Sequence, residues 1–82
     1  MKELLKRLAV AEERANKADE AYNADPENPE AEAAFDEAYE EEFKLYMEAA
    51  EEIVKMTAGK INFETAKAMI KTKRSELEAL FA

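Results

Sequence analysis

The segment Asp25-Pro26-Glu27-Asn28-Pro29-Glu30 decides the architecture, because it holds both prolines of the chain. Proline lacks a backbone donor and biases its predecessor away from helix, so the segment must end one helix and start another. Asn28 is a candidate N-cap, and Pro29 suits the first helical position. Glu30 and Glu32 bring negative charge to the first turn, where the orphan amides point.

Upstream of this turn Leu4, Leu8, Ala11, Ala15, Ala18 and Tyr22 recur at the spacing of one helix face, which predicts a helix over 2–24. Beyond Leu8 the seam is mostly alanine, so it permits close approach but buries little area. Downstream, Phe35, Tyr39, Phe43, Tyr46, Ala50 and Ile53 share a face of a helix predicted over 29–58, flanked by Ala38, Leu45, Ala49, Val54 and Met56. Gly59 suits the C′ position of that helix, and Asn62 is a candidate N-cap for a third, over 63–81. The inner side of this third helix is expected to carry Phe63, Ala66, Met69, Ile70, Leu77, Leu80 and Phe81. Short links favour antiparallel neighbours. The expected fold class is therefore all-α: one domain over 1–82, either a three-helix antiparallel bundle or a helical hairpin with a shorter third helix, built around a long acidic central helix.

Composition agrees with helices and narrows the chemistry. Of 82 residues 17 are alanine and only five are valine or isoleucine, which favours helix over sheet. Cysteine and histidine are both absent, which removes disulfides, thiolate chemistry and the commonest transition-metal ligands and neutral-pH acid/base. A single glycine is too few for a phosphate-binding loop or a nucleophile elbow. Glu40, Glu41 and Glu42 are consecutive, so their side chains diverge around the helix and cannot converge on one ion. No catalytic residue, metal or cofactor is expected. The chain has no apolar run of membrane-spanning length, and its N-terminus, Met1-Lys2-Glu3-Leu4-Leu5-Lys6-Arg7, lacks a leader pattern. A cytoplasmic protein without membrane contact is the expectation.

The net charge of -8 is unevenly spread. Residues 1–25 hold six acids and five bases, 26–58 eleven acids and two bases, and 59–82 three acids and five bases, giving -1, -9 and +2. Helical turning groups Asp36, Glu37, Glu40, Glu41, Glu48, Glu51 and Glu52 into an acidic band opposite the aromatic face of the second helix. Such a band solvates an exposed face, and it can also steer a basic protein partner. The same net charge opposes direct binding to a nucleic-acid backbone.

Two charged residues interrupt the apolar faces: Glu42 on the second helix and Lys73 on the third. An interior Glu42 calls for a basic partner such as Arg7, Arg14 or Lys73, and a Lys73 stem is expected to cross the apolar stripe. Phe35, Tyr39, Phe43 and Tyr46, together with Lys73, are the interface candidates. A long second helix overhanging its neighbours leaves apolar surface for another chain, so a homo-oligomer, with a dimer favoured, or a basic protein partner is expected. The functional expectation is a non-catalytic helical interaction or assembly module. The alternative is an acidic inhibitor that imitates nucleic acid and occupies the basic groove of a nucleic-acid-binding protein.

Overall fold

A computed structural model describes residues 1–80, and these are all-helical. The elements in chain order are α1 (Lys2–Ala24), α2 (Pro29–Met56), α3 (Phe63–Thr72) and α4 (Arg74–Leu80). Phe81, expected on the inner side of the third helix, lies outside the described residues.

The proline segment makes the turn between α1 and α2. The Asp25 amide donates to the carbonyls of Ala21 and Tyr22 and closes α1. Asn28 Oδ1 accepts from the Glu30 amide at 2.9 Å, and Pro29 occupies the first turn of α2. The two helices form an antiparallel hairpin that fills the long dimension of a 46 × 19 × 18 Å molecule.

The hairpin interior differs from the expected one. Leu5, Leu8, Ala11 and Ala15 of α1 are buried, and so are Ala38, Leu45 and Ala49 of α2. The larger residues Tyr39 and Phe43, on the apolar face that supplies the interface candidates, are exposed. The reason is steric. The small side chains of the α1 seam admit a close helix approach, and α2 meets them with Ala38, Leu45 and Ala49 inward. Its aromatic stripe is thereby displaced by about 60 to 140° around the helix axis.

α2 ends two residues before the expected boundary. Thr57 caps it, the Ala58 amide donates to the Lys55 carbonyl at 3.1 Å, and the Gly59 amide donates to the Val54 carbonyl at 2.9 Å. This pair of bonds is a Schellman motif, and it puts Ala58 rather than Gly59 at C′. Ala58 accordingly adopts φ 53°, a left-handed conformation that costs a residue with a Cβ about 1–2 kcal/mol. Thr57 secures the turn by donating from Oγ1 to the Ile53 carbonyl at 2.8 Å and accepting from the Ile61 amide at 3.3 Å.

Asn62 caps α3 by accepting from the Thr65 amide at 2.8 Å. α3 then runs back along α2 and buries Ala66 and Ile70. The Tyr46 hydroxyl, donating to the Lys67 carbonyl at 2.8 Å, fixes its height against α2.

The single third helix expected over 63–81 is broken at Lys73, whose φ of -130° and ψ of 37° interrupt the helical run. Lys73 is exposed and crosses no apolar stripe, so its expected role in the seam is corrected. The next residue takes the interior position instead. Arg74 Nε donates to the Ile70 carbonyl at 2.9 Å, replacing the backbone donor that a continuous helix would supply there. Its two terminal nitrogens form a fork to Glu12 of α1, at 2.7 and 3.0 Å. α4 then turns back toward the start of α1, where Glu78 shares a hollow with Lys2 and Lys6. This return buries Leu77 beside Leu5 and Leu8, while Leu80, also expected inside, is exposed.

The fully buried large side chains are Leu5, Leu8, Ile53, Ile70 and Leu77, so every helix supplies at least one. Each contributes roughly 1.5–3 kcal/mol by burial. All lie in the half of the hairpin that α3 and α4 cover.

Two stability predictions follow from these local geometries. Ala58→Gly relieves the left-handed strain and should raise the unfolding free energy by about 0.5–1 kcal/mol in urea titration, once the added freedom of the unfolded chain is subtracted. Lys73→Met should be neutral to within about 0.5 kcal/mol, whereas Arg74→Met should cost about 1–2 kcal/mol, since Glu12 and the Ile70 carbonyl both lose their partner. Equal costs at 73 and 74 would contradict this placement of the break.

Candidate functional site

Because the chain folds back at Lys73, α3 stops short on α2 and leaves a step. α3 has 10 residues, about 15 Å of helix, against 28 residues and about 42 Å for α2. At the step Tyr46 is covered: its hydroxyl is bonded to α3 and the Lys71 ammonium lies 5.3 Å from its ring centre. Above it the rings lose their cover. Phe43 is 64% exposed and Tyr39 40% exposed.

The aromatic stripe is ordered from both ends. Phe35 stacks on Tyr39 with centroids 4.6 Å apart and on Tyr22 of α1 at 5.1 Å. Each tilted pair adds about 0.5–1.5 kcal/mol beyond area burial. Tyr39 is therefore held by its neighbour, and the exposed ledge formed by Tyr39 and Phe43 lies between Phe35 above and Tyr46 below.

Two hollows meet on this ledge. One is lined by Asp36, Tyr39, Glu40 and Phe43, the other by Glu12, Glu42, Lys67 and Lys71 together with the rings of Tyr39, Phe43 and Tyr46. Four of the five interface candidates thus lie on one continuous stripe, while Lys73, at the exposed chain break, lies off it. Sequence reasoning missed Glu12 and Lys71, which reach the ledge from other helices. Their signal was present only as a polar residue beside the α1 seam and a base near the end of α3.

Glu42 is half-buried in this site, but it forms no ion pair with Arg7, Arg14 or Lys73 among the described residues. Arg7 and Arg14 line a hollow on the other side of the hairpin with Glu3, Lys6 and Glu41. The charges around Glu42 are Glu12, Lys71 and Arg74, and the Arg74 fork is already engaged by Glu12. Burial foremost, and then repulsion from Glu12, hold the Glu42 carboxyl above the ordinary value of 4.5, with Lys71 and Arg74 opposing.

The acidic band is divided by the rotation of α2. Asp36, Glu37, Glu40 and Glu51 are exposed, whereas Glu41, Glu48 and Glu52 are half-buried. The hollow that Glu41 shares with Lys6, Arg7 and Arg14 lets the bases of α1 offset part of the band.

No family model matches the chain, and neither a curated protein nor a solved structure matches it. The side chains of the ledge offer apolar contact along the rings and charge pairing along the rim. No group of three or more carboxylates placed to hold a metal ion occurs among the described residues.

The raised Glu42 carboxyl carries a pH signature. A folded-state value above the unfolded one means that the folded chain binds the proton more tightly. The associated stability is fully present below the unfolded value near 4.5 and is lost as pH rises through the folded value. Glu42→Gln should remove this loss, so the variant should be the more stable at neutral pH, and its thermal midpoint should vary less than wild type's just above pH 4.5. An unchanged pH profile would show Glu42 to be freely hydrated.

Proposed function

We propose that this chain is a non-catalytic helical protein–protein interaction module that presents the Tyr39–Phe43 ledge to a partner polypeptide. The exposure of Phe43 on a stretch of α2 that α3 leaves uncovered carries this reading. Scattered exposed apolar residues are ordinary, but these rings continue a ladder that is packed at both ends and bordered by polar side chains. Aromatic rings held by their neighbours lose little entropy when a partner covers them, which suits them to anchoring an interface.

Imitation of nucleic acid is the weaker reading. It needs an uninterrupted row of free carboxylates, and three of the seven in the band are half-buried. The ledge also gives an apolar contact that electrostatic imitation does not require. No helix among the described residues is long and apolar enough to cross a membrane.

Replacing Phe43 by a photoreactive benzoylphenylalanine tests the module directly, with exposed Lys55 of α2 as the control position. Irradiation in native extract should give discrete polypeptide adducts from position 43 and not from 55. Equal labelling at both positions, or none at 43, would overturn the proposal.

A further inference from the structure

We infer that the occupant of the ledge is a single basic amphipathic helix of another polypeptide, lying in the slot between α1 and α2 along the line that α3 abandons. The inference rests on the interaction-module reading and adds the chemistry of the partner.

The slot has the dimensions of one helix. In the lower half of the molecule, α3 lies beside α2 on the side that bears Tyr46 and Ile53. In the upper half that same side carries Phe43, Tyr39 and Phe35 with no third helix over it, for a stretch of α2 from Pro29 to Phe43. Fifteen residues at the helical rise make about 22 Å, room for a partner helix of four turns.

Above the step the rim is acidic. On α2, Asp36 and Glu40 border the exposed rings, Glu42 lies at the lower end, and Glu32 stands seven residues before Tyr39 on the same face. On α1, Glu12 borders the slot, and half-buried Asp19 follows two turns later on the same face. The helical period turns Arg14 and Lys17 of α1 away from this side, while Lys44 of α2 follows Glu40 by one turn at the outer edge of the rim. Among the described residues, the only basic side chains lining these hollows are Lys67 and Lys71 at the lower end. An apolar floor whose upper rim carries Glu32, Asp36, Glu40 and Asp19, none of them in an ion pair among the described residues, is complementary to a helix with apolar residues on one stripe and Lys or Arg along both flanks.

The same charge disfavours a second copy of this chain as the occupant. A two-fold interface brings the same patch of each copy together, so acidic rim would face acidic rim around the rings. Like-charge juxtaposition works against that pairing and for a basic partner.

Fluorescence anisotropy with defined peptides tests the inference. The probes are an amphipathic helix of leucine and lysine about four turns long, a scrambled peptide of identical composition, and a leucine–glutamate counterpart of the first. The leucine–lysine helix should bind the full chain. Phe43→Ser should weaken it about tenfold, and the pair Asp36→Asn with Glu40→Gln should weaken it and flatten its salt dependence. Circular dichroism of each variant verifies that these exposed substitutions leave the fold intact. Equal binding by the scrambled peptide, or indifference to Phe43→Ser, would reduce the attraction to net charge and overturn the inference. Tighter binding by the leucine–glutamate helix would overturn its sign. A concentration-dependent dimer in sedimentation that Phe43→Ser abolishes would instead seat a second copy on the ledge. Photolabelling at position 43 without leucine–lysine binding would leave the module standing and remove only this occupant, whereas failure of both would remove both.

Discussion

The Arg74 side chain ties three parts of this molecule together. Its Nε closes the carbonyl end of α3 at Ile70, and its fork binds the Glu12 carboxylate of α1. A bidentate guanidinium–carboxylate pair is directional as well as attractive, so it fixes an angle where a lysine would fix only a distance. The Arg74 side chain is largely covered and Glu12 about a third exposed, so solvent screens the pair in part. Its importance therefore lies in the geometry it sets. With α3 stopped at Thr72, α4 can return toward α1 and insert Leu77 among Leu5 and Leu8. A straight continuation would instead have carried Leu77 up the hairpin, away from the leucine-rich core.

This fold-back divides the molecule into halves of different character. The lower half is a packed core of leucine and isoleucine drawn from all four helices. The upper half is a two-helix arm in which Ala15 and Ala38 are buried and the rings of Tyr22, Phe35 and Tyr39 stack along one edge. Alanine contacts bury little area, so the arm gains less from burial than the core and depends on its aromatic edge. A surface of that kind gains most from a partner that supplies the missing third layer. The step between the halves is where covered Tyr46 gives way to exposed Phe43, and the carboxyl of Glu42 is raised at the same level.

Much of the helical framework was legible in local chemistry. The proline segment, the Asn28 cap and the Asn62 cap depend on side chains reaching their own backbone, and the structure places all three as the sequence implies. The rotation of α2 was not legible in the same way. Side-chain size points Tyr39 and Phe43 inward, but the face that meets the alanine seam of α1 carries Ala38, Leu45 and Ala49 instead. The break at Lys73 was hidden for a related reason. Ile70 and Leu77 are spaced to share a face of a straight helix, and only the remote Glu12 rewards a bend between them. At the end of α2, Gly59 is left-handed at φ 82°, as its residue type favours, but the helix stops at Met56 and Ala58, in the C′ position, is left-handed as well. The aromatic stripe was thus readable from sequence, while its exposure depended on where another helix ended.

The central claim is that the chain reverses at Lys73 and so bares the ledge, and the absence of cysteine makes it directly measurable. A nitroxide on Glu78→Cys labels one known position, and paramagnetic broadening of backbone amide signals reports which residues lie near it. The reversal predicts strong broadening at Lys2 and Lys6 and little at Phe35 and Asp36. In an unbroken third helix, residue 78 would lie about 20 Å farther along the hairpin at 1.5 Å per residue. Broadening centred on Phe35 and Asp36, with Lys2 and Lys6 left sharp, would contradict the account.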